Sequence, residues 1–487
     1  MRGRSRKILI GIVVVSVILG VVYGVSLARA KAQLRQAYAA LEQDGRPLSI
    51  EDVLPPEVPD EQNAALLYDK AAAMLEAEPS EEEKNLLEEL SRLPRALFEE
   101  PTKPDKLARQ QQQVARLKQR MAQDEVKAAL AVVEQGTQRP ACRFEHEVAV
   151  SLSEDKPASG RVRTLIVILG ARARLEAEAG DPRKAWDTIR AQLRFGQTLS
   201  HDPIALDPWV RFAATGHACR VIRHVCEIAP PDEENYQAIE TLLRAADDVQ
   251  QFVRLLDAER LCRGEAVFSL PEAELYQALR AYETSFGGGG PEVINRLRFR
   301  VITFAPRFVA DHAAYLQVMR KSVQMLEGPF VLREAPAYQE IGKLARRYGL
   351  TARMAPYTSG LKYIHCRMAA DVRMVRAGLG LLRYRRLHGE FPPTLDALQL
   401  EGLIDPFDGK PLRYRREAEG FVVYSVNEDL KDNGGAERQP KQKTDFDRVW
   451  RFPGHDARAG NDTRVGHYGR RDRGVAGLVG EAPGKSR

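Results

Sequence analysis

Five oxygen-bearing side chains crowd one segment near the end of this chain: Asp429, Asp432, Asn433, Asp445 and Asp447. Carboxylate and amide oxygens are hard donors, and Ca2+ takes six to eight such ligands. Arg438, Lys441 and Lys443 share the segment, and a bound cation would repel them. Other chemistry stops short of a complete motif. His146-Glu147 opens H-E-x-x-H, but Val150 stands where the second zinc ligand belongs. Gly484-Lys485-Ser486 ends like a phosphate loop, yet Val479 occupies the position of its first glycine. His217 and His224 share a helical face with Cys219 and Cys226, and two histidines two turns apart need further ligands to hold a metal. No G-x-S-x-G elbow occurs. A catalytic site would have to be assembled from scattered groups such as His146, His217, His224, Glu259 and Glu265.

Such groups need elements to position them, and composition sets the scale. A chain of 487 residues suggests two to four domains. At 44% hydrophobic and 29% charged it can bury a sizeable core. A net charge of +6 is mild on this length, and part of it flanks an apolar segment, so nucleic acid is not expected as a partner. The cysteines, Cys142, Cys219, Cys226, Cys262 and Cys366, show no C-x-x-C spacing and read as buried small hydrophobes.

The apolar segment is the run from Ile8 to Ala28, which contains no charge. About 21 residues at 1.5 Å each give roughly 30 Å of helix, enough to cross a hydrocarbon core. It predicts one membrane anchor. The alternative is a cleaved signal peptide, for which Ala28-Arg29-Ala30 has the small-x-small form. The run is longer than a signal core usually is, and an arginine sits inside that site, so the anchor is the preferred reading. Arg2, Arg4, Arg6 and Lys7 precede the run and Arg29, Lys31 and Arg35 follow it. The bias favours the N-terminus in the cytoplasm and the bulk of the chain outside it.

Beyond the anchor, periodicity predicts helix after helix. The sharpest junction is Gly180-Asp181-Pro182: glycine ends one helix, aspartate caps the next, and proline takes a first position that needs no N–H. Leu165, Leu169 and Ala173 before it, and Ala185, Ile189 and Leu193 after it, repeat at helical spacing. This hairpin resembles one tetratricopeptide-type unit, without a second copy at that family's period. A long helix ending at His388 is then followed by two short strands, around Tyr414 and over Phe421 to Ser425.

Around those strands a family pattern emerges. Leu381, Tyr384, Gly389, Phe391-Pro392, Leu395 and Leu398, then Asp405-Pro406-Phe407, Gly409, Pro411 and Tyr414, then Tyr424-Ser425, resemble the periplasmic domain of the type II secretion major pseudopilin. Asp432, Gly434-Gly435, Asp445-Phe446-Asp447 and Trp450 fall where that family carries its acidic calcium loop and late tryptophan. The resemblance implies a small α+β module, with Asp429, Asp432, Asn433, Asp445 and Asp447 as its calcium ligands. Unlike a pilus subunit, this chain has no prepilin site, no glutamate in its apolar run, and some 330 residues between anchor and module. The layout as a whole looks like large membrane-anchored proteins of planctomycete-type bacteria, which implies no activity.

The expected fold class is mainly α. A basic tail (1–7) precedes a transmembrane helix (8–28), and juxtamembrane helices and linkers follow (29–135). Then come a helical, loosely tetratricopeptide-like domain (136–360), a pseudopilin-like α+β module (361–452) and a disordered Gly/Arg-rich tail (453–487). The expected function is that of a non-catalytic, single-pass structural or interaction protein of the bacterial inner membrane. Its bulk would be extracytoplasmic, its partners the membrane and other proteins, possible Ca2+ its one cofactor, and secretion or envelope machinery its setting. An enzyme or ligand-sensing ectodomain with a site in the helical middle is the alternative.

Overall fold

A computed structural model gives the fold over residues 2–76, 115–116, 118–144, 157–202, 208–285, 296–332, 335–354, 358–417, 419–437 and 446–453. His146, Asp445, the Gly-Lys-Ser ending and almost all of the Gly/Arg-rich tail lie outside the described residues.

The chain is mainly helical. Helix α1 (Arg2–Gln43) carries the apolar run and continues unbroken past it. From Ile10 to Val25 its large apolar side chains are exposed, whereas Ala30, Ala37 and Leu41 beyond the run are buried. No glycine or proline interrupts the sequence from Val25 to Gln43, so nothing local breaks the helix. Its second half lies against α11 (Ala305–Glu327).

Two apolar clusters organise the helices between. In the first, α2 (Ala64–Glu76) and α3 (Asp124–Gly136) pack together and onto α4 (Pro157–Glu178), α5 (Pro182–Leu199) and α6 (Pro208–Ile228). This cluster runs from Ala64 to Ala214, so segment 29–135 shares a core with the helices that follow it. Helices α4 and α5 form the expected hairpin. Gly180 supplies the positive φ of +84° that ends α4, and the Asp181 carboxylate accepts from the Lys184 N–H at 3.2 Å. In the larger cluster, α5, α6, α7 (Glu233–Ala246), α8 (Gln250–Glu259), α11 and α14 (Thr358–His388) share a core with residues from α1 and the C-terminal strands. Further helices are α9 (Glu272–Ser285), α10 (Arg296–Ile302), α12 (Pro336–Arg347) and α13 (Gly349–Met354).

The C-terminal strands make one antiparallel sheet in the order β1 (Arg413–Arg416), β2 (Phe421–Ser425), β3 (Arg448–Phe452). Tyr414 pairs with Val423, and Val423 with Trp450. Phe421, Val423 and Trp450 are buried in one cluster with Val375, Leu379 and Leu382 of α14, with Tyr414 packed at its margin. The pairing of β1 with β2 was expected, whereas β3 is an addition to the two strands read from the sequence.

Helix α14 is held to α7 by a ladder of ion pairs. Acids seven residues apart, Glu233, Glu240 and Asp247, line the helix and its C-terminal cap. Arg373 reaches Asp247 at 2.6 Å, Arg376 reaches Glu240 at 2.7 Å, and Arg383 and Arg386 reach Glu233 at 2.9 and 2.7 Å. Arg376 is 3% exposed and Arg383 is 35% exposed, which separates their expected effects. Removing a buried partner strands a charge away from water, so Arg376→Ala should cost about 3–5 kcal/mol. Arg383→Ala, at a solvated pair, should cost about 1 kcal/mol or less. Denaturant midpoints of the two variants check this, and equal losses would show that the ladder's inner rung is as solvated as its outer one.

Candidate functional site

The densest polar contacts to α1 lie where it enters the body. Burial of Leu34, Tyr38 and Leu41 against the core turns one face of α1 inward. There the Tyr38 hydroxyl donates to Glu265 Oε2 at 2.5 Å, and His312 Nε2 of α11 lies 3.4 Å from the same hydroxyl. His312 is 3.8 Å from Glu265 Oε2, an ion-pair distance rather than a hydrogen bond. The other Glu265 oxygen accepts from Arg260, whose guanidinium also donates to the Pro47 carbonyl just past α1. Arg46 pairs with Asp257 at 3.2 Å, and the Phe268 ring stacks on His312 at 4.3 Å.

A local irregularity aims these groups. After α8 the chain passes through a π-helical turn, Arg260–Glu265, before resuming as α-helix at Ala266–Ser269. Gly264 makes room there for Tyr315 of α11: a Cβ would stand 1.9 Å from its hydroxyl, so any side chain would displace the Tyr315 ring. π-Turns recur at functional sites because they redirect side chains. Here the turn places Arg260 and Glu265 under α1. Burial alone would raise the Glu265 carboxyl, but His312, Tyr38 and Arg260 outweigh it and hold the group below its ordinary range. Burial, followed by the bond to Glu265, pushes the Tyr38 hydroxyl upward. Asp257 rises to about 6 because burial outweighs Arg46 and Arg260. With Glu265 bonded through both oxygens, the arrangement latches α1 to the body.

A second polar cluster joins α6, α14 and β3. Asp371 accepts from Arg223 at 3.4 Å and from Arg448 at 2.5 Å, and Arg223 also donates to the Val449 carbonyl and lies over the Trp450 ring. Burial would raise the Asp371 carboxyl, but Arg448 and Arg223 hold it below the usual range. Burial draws the neighbouring Arg220 down to about 10. The Nε atoms of Arg220 and Arg223 are buried and have no hydrogen-bond partner among the described residues.

The residues singled out by sequence fall in separate places. His217 is buried between helices, its Nδ1 2.9 Å from the Gln192 amide nitrogen, and burial lowers it to about 3. His224 lies 3.6 Å from Glu178, and Glu259 pairs with Arg263 at 2.8 Å. His217, His224 and Glu265 thus have separate partners, at Gln192, Glu178 and Tyr38 respectively. All five cysteines are thiols, with Cys142, Cys219, Cys226 and Cys366 buried.

In the oxygen-rich segment the carboxylates meet N–H and O–H donors. Asp447 accepts from the Asn433 and Gly435 amides at 3.1 and 2.8 Å. Asp432 accepts from the Gly434 amide and the Tyr424 hydroxyl and lies 3.5 Å from Arg413, while Asp429 accepts from the Lys431 amide. The Asn433 side chain donates to the Lys431 carbonyl. Among the described residues, no three His, Cys, Asp or Glu side chains gather as metal ligands. Sequence reasoning gave no role to Asp405, which is fully buried and takes bonds from the Phe407 and Val426 amides, Ser425 and Arg413. It stitches the loop before β1 to the end of β2.

One cavity, between Gln192, Leu193, Phe252 and Met368, offers about 30 Å3, room for a water or two. A groove of about 480 Å3 runs past Pro231, Tyr236, Leu379, Arg383, Arg386 and Phe452. Its Arg383 and Arg386 are already engaged by Glu233.

Acid stability offers a test of these interior groups. His365, packed 4.7 Å from the Phe252 ring, has both ring nitrogens buried without hydrogen-bond partners among the described residues, and burial lowers it to about 3. A histidine neutral in the fold but protonated near 6.5 when unfolded stabilises fully above that pH. Its contribution is lost as pH falls toward 3, by up to about 1.4 kcal/mol per unit. His217 adds a like amount. Asp257, raised in the fold, acts in the opposite sense in every variant and cancels from the comparison. His365→Leu should therefore leave stability at pH 8 unchanged or raised and make the decline between pH 6.5 and 5 shallower by up to about 1.4 kcal/mol per unit. Urea midpoints across that range decide it, and an unchanged slope would place protonation elsewhere.

Comparisons with protein families, with curated proteins and with solved structures find no match to this chain.

Proposed function

We propose that this chain is a single-pass, non-catalytic structural or interaction protein of a bacterial inner membrane, anchored by residues 8–28 with its bulk outside the cytoplasm. The supporting observation is the continuity of α1, which is long and apolar enough to span a bilayer. Its apolar part is uncovered by protein, and its remainder is packed into the body. Lipid is the solvent that such an uncovered apolar helix requires. Cleavage after Ala30 would cut a continuous helix at a residue only 3% exposed, which favours an anchor over a signal peptide.

On this reading the helical body, including the α4–α5 hairpin with its loose tetratricopeptide likeness, presents surfaces to protein partners. The end of α14 with the three-stranded sheet forms the pseudopilin-like module. Support for that module is its order: long helix, two loops, then strands packed back on the helix. A role in secretion or envelope machinery follows from that likeness alone.

The full chain should stay with membranes through alkaline carbonate, with an intact mass that retains Met1 or Arg2. A soluble product beginning at Lys31 would overturn the anchor. A cysteine placed at the exposed Leu387 should react with an impermeant maleimide from outside the cell, and reaction only after lysis would reverse the orientation.

A ligand-sensing reading has one observation in its favour, the surplus of guanidinium around Asp371. A small oxyanion would complete it. Phosphate or sulfate should then raise the melting temperature of the full chain, and Arg220→Met should remove that rise. Indifference to both anions would leave the cluster as a clamp on β3.

A further inference from the structure

We propose that the corner between α10 and α11 is a second membrane-contact element, seated in the headgroup boundary of the bilayer that α1 crosses. The proposal rests on the reading of α1 as a membrane span. Phe299 and Ile302 of α10 are buried with Val267, Leu275, Leu279 and Leu350, which turns the opposite side of the corner outward. That side presents Val301 and Phe304, each 53% exposed, between the exposed Arg300 and Arg307. An exposed Phe beside an exposed Val, flanked by cations, is the composition of an interfacial membrane contact.

Depth follows from contacts with α1. The Phe304 ring lies 5.6 Å from the ring of Tyr23, which belongs to the apolar run itself, roughly 7–8 Å along the helix before Ala28. Helices α1 and α11 run parallel: Tyr38 meets His312, and one turn and a half further on Asp44 meets Arg320 and Gln324. Those partners are 274 to 280 positions apart, and the same offset sets Phe304 level with Gly24 to Ala30, the end of the run. The corner is therefore at the edge of the hydrocarbon whenever α1 spans it. Phe304 and Val301 face acyl chains there, and the long side chains of Arg300 and Arg307 can extend to lipid phosphates. Lipid is the occupant this position selects, because a protein covering the patch would itself have to lie in the bilayer boundary.

The test uses the full chain in vesicles of phosphatidylcholine and phosphatidylglycerol, with lipids brominated near the glycerol end of the acyl chain. Phe304→Trp, Tyr23→Trp and Leu387→Trp are compared with the parent protein, whose own tryptophans set the baseline. The emission added at position 304 should fall by roughly half or more, as should that at 23, while that at 387 stays unquenched. Quenching at 23 without quenching at 304 would overturn the proposal and leave the span intact. Quenching at neither would overturn both.

Discussion

The rest of the fold depends on one helix that meets two different surroundings along its length. The first part of α1 offers apolar side chains to its surroundings, and the second offers them to α11 and the core. A backbone without an interior breaker between those parts transmits orientation as well as position. Polar contacts then fix rotation about the helix axis: Tyr38 meets Glu265 at the end of the π-turn, and just past the helix end Asp44 meets Arg320 on α11 and Arg46 meets Asp257 on α8. A slip of one residue would turn Tyr38 by about 100° away from Glu265.

Charge is used inside the body in the same spirit. The acids of α7 recur every two turns and each meets its own arginine on α14, so a single axial register satisfies every rung. Buried pairs are costly to desolvate and add little net stability compared with apolar packing. Their effect here is selectivity: α14 carries the sheet on its second half, and the ladder sets where that sheet stands relative to the helical body. The cluster at Asp371 adds a clamp from the other side, tying α6 through Arg223 to both α14 and β3.

What was legible in the sequence was what neighbours in the chain decide. The apolar run, the hairpin at Gly180-Asp181-Pro182 and the strands on either side of Glu417 rest on local periodicity and turn chemistry, and each is present. The latch and the ladder were not legible, because their partners are brought together by folding: Tyr38 and Glu265 are 227 positions apart, Arg376 and Glu240 are 136 apart. The heptad spacing of Glu233, Glu240 and Asp247 was visible, but an acidic row on a helix reads equally well as a solvated face. The π-turn has no compositional signature, and β3 is a short run with arginines at Arg448 and Arg451, easily taken for loop. Carboxylates near glycines suit a cation or backbone amides equally. At Asp432 and Asp447 the amides of Gly434 and Gly435 take the bonds.

The pairing of α1 with α11 also orders events in time. During synthesis Tyr38 of α1 leaves the ribosome 274 residues ahead of its partner His312 on α11. At about 5–20 residues per second that interval is roughly 15–55 s. For that period the inner-facing side of α1 has no helix to receive it, and the helices of the first apolar cluster can fold without it. Docking onto α1 is then a late step, and the body closes around a helix made well before its partners.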